Sequence, residues 1–400
     1  MRVRISFQTF CAFLVAPYYH TAYRIRGWGN LPRKRAATLL IANHQHDLDT
    51  NAAAIRILLQ GPWSQTMYSA SSRRVFEPGF MGIRVPWLER WLGTFNASKL
   101  FTWLGMLPIE NELFARSVSS IAWYVRSKFG DLSNEAVFRA DVLERFGPLA
   151  GNKTLAWLFR GAAFHLARKT RIGMNAINEP YRSDLLAETR RNMQTDLQRI
   201  EETMRSGVTF YLTPEGRYTT DGRVGRFRLA LRRLAPLAQI YLIAMSYDVF
   251  VGRRLSILFR IVPPLDKADL RASLQAERPV TTSQLLAGWL SRYNGTFTMQ
   301  DARRRVRAEL ARLPAHAFVD PELRRRPERL VKSALQSMIR LGVLRRNEND
   351  FSVADQRRHP QFPQVKDMLA YQAAFFEESV NALHKLHQTA GTPAHAGPVW

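Results

Sequence analysis

The stretch from Ala37 to Thr50, ATLLIANHQHDLDT, constrains this chain more than any other. Thr38 to Ala42 is a short apolar run bounded by polar residues, which reads as a buried strand. It ends directly in Asn43-His44, and Asp49 stands at the fifth position beyond the histidine. A strand that delivers a histidine at its tip and returns an acid within one turn is how a general base is mounted. The imidazole takes a proton from an attacking hydroxyl, and the carboxylate sets its tautomer and stabilises the imidazolium that forms. An Ala-rich helix expected over Thr50 to Gln60 puts Asp49 at a helix start, where an acid also complements the dipole.

Further strands and helices alternate along the chain. Tyr23 to Gly29 reads as a strand, Asn30-Leu31-Pro32 as a turn and Met67 to Ser71 as another strand. Arg73 to Leu107 interleaves aromatic residues (Phe76, Phe80, Trp87, Trp91, Phe95, Phe101, Trp103) with Arg73, Arg74, Arg84, Arg90 and Lys99. This reads first as core with a solvated rim and second as a surface for lipid headgroups. Ser117 to Arg171 is helical in pattern and carries no recognisable chemistry. Asp184 to Arg205 is an amphipathic helix with Leu186, Thr189, Met193, Leu197, Ile200 and Met204 at spacings of three and four. Ser183 is its expected N-cap and Gly207 its stop. An apolar strand, Val208 to Leu212, then runs into Thr213-Pro214-Glu215-Gly216-Arg217, and Tyr241 to Ser246 and Arg260 to Val262 are two more strands. The alternation predicts an α/β fold with a mostly parallel sheet flanked by helices.

A boundary is expected near residues 264 to 282, after Pro263-Pro264. The resulting division is a helix over 1–22, a main domain over 23–270, a mainly helical basic domain over 280–388 and a loose tail over 389–400. In the third part, Leu330 to Leu341 reads as a helix, and Val343 to Arg346 with Phe351 to Val353 as a small hairpin. A helix followed by a hairpin is also how a winged-helix nucleic-acid binder reads.

The net charge of +25 implies anionic partners: nucleic acid, an anionic membrane face, or phosphate-bearing substrates such as acyl-CoA. Cys11 is the single cysteine, so the chain can form neither an internal disulfide framework nor a cysteine-based zinc site. The N-terminus starts basic and continues apolar, but Gln8, Thr9 and Pro17 interrupt the run, and about 20 apolar residues are needed to span a bilayer. Tyr18, Tyr19, Tyr23, Arg24, Arg26 and Trp28 suit a helix lying in the membrane interface, and a helix packed on the core is the equal alternative. His44, His46, Asp47 and Asp49 crowd together as metal ligands do. The metallo-hydrolase pattern His-x-His-x-Asp-His would nevertheless need Asp at 48 and His at 49, where Leu48 and Asp49 stand. No metal is therefore expected, and His46 reads as an outer support of His44.

A strand ending in Asn-His-x4-Asp, followed by a second strand ending in Pro-Glu-Gly-Arg, resembles the glycerolipid acyltransferase superfamily, which includes the glycerol-3-phosphate and lysophosphatidic acid acyltransferases. The run TPEGRYTTDGRVGRFRLAL is similar to the family's third block, IYLIAMS stands where its fourth belongs, and RIRGWGNLPRKRAATLLIANH matches the usual approach to the histidine. The resemblance covers roughly residues 20 to 250 with a break in the middle. It implies acyl transfer from a fatty acyl thioester, on CoA or acyl carrier protein, to a hydroxyl of a lysophospholipid or glycerol phosphate. No cofactor is implied. His44 would be the general base and Asp49 its orienting partner. Asn43, Glu215, Gly216 and Arg217 would bind the acceptor, with Arg217 on its phosphate. The implied setting is the cytoplasmic face of a membrane carrying anionic lipids, with the protein peripheral or monotopic.

Two departures qualify the likeness. Arg217 follows Gly216 directly and Tyr218 takes the family's usual arginine position. The second block has two partial candidates, Gly105 to Asn111 and Gly173 to Glu179, and an insertion over roughly 112–180 would reconcile them. Arg116 and Arg182 are the corresponding candidate phosphate ligands. The rival reading is a basic nucleic-acid or membrane-binding protein with a winged-helix-like C-terminal module and a silent acyltransferase-like domain. It leaves His44, Asp49 and Glu215 without a common purpose, so nucleic acid is the disfavoured partner.

Overall fold

The computed structural model describes residues 2–31, 36–46, 49–60, 66–77, 96–110 and 115–390. Pro32, Phe80, Arg84, Trp87, Arg90, Trp91, Phe95, Asn111, Asp47, Leu48 and the tail from 391 lie outside the described residues, as do the expectations that fall on them. The chain divides into two compact units, residues 1–68 with 204–400 and residues 69–203.

The larger unit holds a five-strand array: β1 (Arg24–Trp28), β2 (Thr38–Ala42), β3 (Thr209–Leu212), β4 (Gln239–Asp248) and β5 (Ser256–Val262). Their order is β1-β5-β4-β2-β3. β1 runs parallel to β5, and β2 runs parallel to both β4 and β3; only the β4–β5 pair is antiparallel. All five residues of β2 and all four of β3 are buried, which is why they read as continuous apolar runs rather than alternating ones. The fold class is therefore the expected one, a mostly parallel sheet flanked by helices. β4 and β5 extend beyond the apolar runs that announced them, because their antiparallel ladder from Leu242↔Val262 to Asp248↔Ser256 recruits polar residues at the ends.

Helix α1 (Arg2–Ala22) packs on α2 (Asp49–Gln60). Gln8 is buried on its inner face, donates to the Met67 carbonyl at 2.7 Å and accepts from the Met67 amide at 3.2 Å. Its outer face carries Phe10, Phe13, Leu14 and Tyr18, all exposed. The inner face of the helix is thus packed and its outer face is exposed. No helix among the described residues is long and apolar enough to cross a membrane.

Beyond the sheet come α3 (Leu270–Ala276), α4 (Thr282–Leu290), α5 (Met299–Arg312), α6 (Pro327–Arg340) and α7 (Met368–Ala390). Three short strands, β6 (Thr296–Thr298), β7 (Leu344–Asn347) and β8 (Asp350–Val353), form an antiparallel sheet in the order β6-β8-β7. The boundary expected after Pro263-Pro264 does not divide the core. Leu40, Tyr211 and Ile243 from the sheet share one buried cluster with Leu286, Val331, Met368 and Tyr371. The reason is that α3 and α4 lie against β4 and α7 packs on both helices, so the C-terminal region belongs to the larger unit. Polar contacts seal the joint. Asp248, at the end of β4, accepts from the Ser283 amide at 3.0 Å and from the Ser283 hydroxyl at the start of α4, while Arg26 on β1 pairs with Asp320 at 2.6 Å.

In the smaller unit, residues from Ser69 to Ser72 pair parallel with Met106–Ile109, and Ala115–Ser117 pairs antiparallel with Arg171–Gly173. Its core gathers Ile121, Val125, Phe138, Leu155 and Leu158. The long amphipathic helix begins at Tyr181 rather than after Ser183. Glu179 takes the capping role, accepting from the Ser183 amide at 3.1 Å, because an acid just before the first turn satisfies an orphan amide and the dipole together.

Burial pushes the Asp248 carboxyl up from 3.8 to about 6, against the pull of its Ser283 bonds. A carboxyl whose folded pKa is raised binds its proton more tightly in the folded state. Its contribution is complete below about pH 4 and is lost as the pH rises through 6, on the order of 3 kcal/mol in all. Urea midpoints between pH 4 and 7 should therefore fall less steeply for Asp248→Asn than for the parent chain; equal slopes would show that Asp248 does not titrate in this window.

Candidate active site

Parallel pairing of β2 with β3 sets the site. The register Thr38↔Thr209 through Ile41↔Leu212 brings the carboxyl ends of both strands side by side, so the loops that follow them meet at one sheet edge. His44 and Glu215, 171 residues apart, are joined there: the His44 amide donates to Glu215 Oε1 at 2.8 Å. The Thr219 amide in turn donates to the His44 carbonyl at 3.1 Å, so the histidine backbone is held from both sides by the second loop.

His44 Nδ1–H donates to Asp49 Oδ2 at 3.0 Å, with the imidazole 19% exposed and the carboxylate fully buried. That bond assigns the proton to Nδ1 and leaves Nε2 as the basic nitrogen, which makes no hydrogen bond among the described residues. Asp49 Oδ2 also accepts from the Gln45 amide at 2.6 Å and the His46 amide at 2.9 Å, and Oδ1 accepts from the Tyr247 hydroxyl. Asp49 is the first residue of α2, so the helix dipole supports the same charge. These donors offset the cost of burying the carboxylate away from water. Burial and the nearby Asp49 charge push the Tyr247, Tyr211 and Tyr371 phenols well above their usual range, so Tyr247 remains a donor at neutral pH.

Glu215 is 6% exposed, and both its oxygens face protein amides, Oε1 that of His44 and Oε2 that of Gly225 at 2.6 Å. Burial raises its pKa, opposed by those two amides and by the charges of His44 and Arg278. The carboxylate braces the site from inside; it does not project toward an acceptor. Gly216 sits at φ +68, and a Cβ there would lie 2.4 Å from Nε of Arg228, so only glycine lets that guanidinium lie across the loop. Arg228 Nε donates to the Glu215 carbonyl at 3.3 Å. Arg217 is exposed and forms no ion pair among the described residues. Burial and the Arg217 charge lower the Arg228 pKa. Tyr218, which the resemblance would replace by arginine, packs its ring against that of His44 with centroids 4.3 Å apart and planes tilted by 52°.

The other candidates are placed elsewhere. The Asn43 side chain donates to the Met245 carbonyl at 3.1 Å and accepts from the Met245 amide at 2.8 Å, prolonging the β2–β4 ladder by one side chain. It is buried, and its polar atoms serve the sheet rather than a ligand. His46 Nε2 donates to the Gln361 carbonyl at 2.9 Å, and its ring packs on Phe362, while its backbone amide supports Asp49. Arg116 and Arg182 both lie in the smaller unit. Arg116 is buried and ion-paired with Glu110, with a bond to Thr189 Oγ1 at 3.1 Å, and Arg182 pairs with Glu179 at 2.6 Å.

Residues the sequence did not single out complete the arrangement. Tyr247 lies one residue beyond the strand expected over Tyr241 to Ser246, and the longer β4 places it on one face with Ile243 and Met245. Gln45 bonds the Met245 carbonyl at 2.9 Å through Nε2 and receives the Gln364 side chain on its own carbonyl at 3.2 Å. No local pattern could announce a contact spanning 319 positions.

Removing the Tyr247 hydroxyl leaves Asp49 Oδ1 buried with one donor fewer. Tyr247→Phe should lower unfolding stability by about 1–3 kcal/mol, read from urea denaturation at pH 7. A change below about 0.5 kcal/mol, the range of an inert surface substitution, would mean that another group takes over the bond.

No protein-family model matches this chain, and no curated protein matches it in sequence. Among solved structures, it is similar to the 1-acyl-sn-glycerophosphate (LPA) acyltransferase PlsC of Thermotoga maritima at 12% identity, covering 68% of this chain and 94% of that chain, with a TM-score of 0.28.

Proposed function

We propose that this chain is an O-acyltransferase that moves a fatty acyl group from a CoA or carrier-protein thioester to a hydroxyl of a glycerolipid or other phosphate-bearing acceptor. The observation that carries the reading is the His44–Asp49 pair: a partly exposed imidazole with Nδ1 tied to a buried carboxylate and Nε2 unengaged among the described residues. It stands at the carboxyl end of parallel strands, and the Pro-Glu-Gly-Arg loop that the resemblance pairs with it lies against its backbone. The acceptor O–H would give its proton to Nε2 while its oxygen attacks the thioester carbonyl carbon. The tetrahedral oxyanion then collapses, the C–S bond breaks, and the thiolate takes the proton back from His44. Asp49 stabilises the transient imidazolium, so no covalent enzyme intermediate is required. Exposed and without an ion-pair partner among the described residues, Arg217 is suited to the acceptor's phosphate through charge-assisted bonds. Glu215 and Gly216 shape the loop that presents it.

The exposed apolar face of α1, with Phe13 at 67% and Tyr18 at 63% accessible, together with the +25 charge, supports action on an anionic membrane surface, which we assign to the cytoplasmic side. A second reading has one observation behind it. Helix α4, strand β6, helices α5 and α6 and the β7–β8 hairpin follow the element order of a winged-helix module, so a nucleic-acid role belongs among the tests.

Purified protein is incubated with radiolabelled palmitoyl-CoA, or the matching carrier-protein thioester, and glycerol 3-phosphate, lysophosphatidic acid or a lyso-lipid without a phosphate monoester. His44→Ala should remove at least about 10²-fold of the transfer with the fold intact. Arg217→Ala should raise KM for the phosphate-bearing acceptor about tenfold, the loss of one charge-assisted pair, and leave KM for the thioester alone. An active His44→Ala protein would refute the mechanism. Cosedimentation with anionic vesicles, set against DNA binding with a steep salt slope, separates the two readings.

A further inference from the structure

We propose that Glu378 and Arg278 are positioning residues for this site: from the C-terminal helices they hold the turn at residues 222–225 where Glu215 can brace the His44 backbone. The effect on rate rests on the acyltransferase reading; the mechanical link rests on geometry alone.

Glu378, on α7, accepts from the Val224 amide at 2.9 Å and from Arg278 Nη2 at 3.0 Å through the same oxygen. Arg271 Nη2 donates to the Val224 carbonyl at 2.6 Å, so the peptide groups on both sides of Val224 are tied to the C-terminal region. Gly222, at φ +82, lies so close to α7 that a Cβ would sit 2.0 Å from the Tyr371 carbonyl oxygen. The next amide after Val224 is that of Gly225, which donates to Glu215 Oε2, and Glu215 Oε1 holds His44. Val224 cannot shift without carrying Gly225, and Gly225 cannot shift without releasing Glu215.

Arg278 makes the anchor rigid. It is 1% exposed, with Nε donating to Ser379 Oγ at 3.0 Å and Nη2 to the Phe375 carbonyl at 3.0 Å. Its guanidinium carbon stands 3.7 Å from the Phe375 ring centroid. A planar five-donor group in that position locks one turn of α7 against α3 and its C-terminal end, and it orients the Glu378 carboxylate. An apolar pair would fill the volume at equal or lower cost, so burying this ion pair points to a need for orientation. The same region secures the other loop of the site, since Gln364 reaches the Gln45 carbonyl and His46 reaches that of Gln361.

The test is the double variant Arg278→Met/Glu378→Leu, which removes both charges together and keeps the packing volume, with Glu378→Asp as the conservative control. Circular dichroism and urea midpoints establish that each variant folds. Amide hydrogen exchange over residues 222–226 and 44–46 should speed up about tenfold in the folded double variant while β4 and α2 stay protected, with Glu378→Asp in between. With the acyl thioester as substrate, kcat should fall about tenfold or more and KM should stay within about twofold, as expected when groups are misplaced rather than binding lost. Unchanged exchange in these segments overturns the link. Faster exchange with unchanged kcat overturns the positioning role. Should the parent chain show no His44-dependent transfer, the acyltransferase reading fails and the exchange result alone decides the link.

Discussion

A carboxylate taken out of water must be paid back in hydrogen bonds, and Asp49 is where this chain meets that demand. Its two oxygens receive the His44 imidazole, two consecutive backbone amides and the Tyr247 hydroxyl, at the N-terminus of a helix. The amides of Gln45 and His46 can converge on one oxygen only if the chain turns sharply after β2, so the solvation of one charge dictates the loop. The same loop then presents Nε2 outward. The path of the loop and the setting of the imidazole follow from one electrostatic requirement.

A second carboxylate repeats the device at longer range. Glu215 spends both oxygens on backbone amides, one on the histidine loop and one on its own loop's far side. Parallel pairing of β2 and β3 brings the two loops together, but pairing alone leaves their relative setting soft. The bridge through Glu215 removes that freedom, and α7 carries the restraint outward through Val224. A strand pair, a buried acid and a C-terminal helix are thus joined by consecutive hydrogen bonds within one unit.

Much of the local architecture was legible because it depends on near neighbours. Apolar runs named the buried strands, since a strand covered on both faces has no polar side to alternate with. His44 and Asp49 could be paired on paper because they are five positions apart, within reach of a single turn. The boundary after Pro263-Pro264 misled because a proline pair and a change in charge describe the path of the chain, and the path does not say which apolar faces will share a core. The N-cap at Ser183 failed for a smaller reason of the same kind, since the helix starts at Tyr181 and the Ser183 amide is itself taken up by Glu179.

By itself the sequence determined the α/β class, the strands that carry the site and the histidine–acid pair, all matters of periodicity and short spacing. Only the tertiary structure decided how each side chain is used. It turned Asn43 into a rung of the sheet, faced Glu215 inward, engaged Arg116 with Glu110, and brought Tyr247, Arg278 and Glu378 to the site. These outcomes depend on burial and on hydrogen-bond partners up to hundreds of positions away, and a polar group shut off from water bonds whatever the fold has placed beside it.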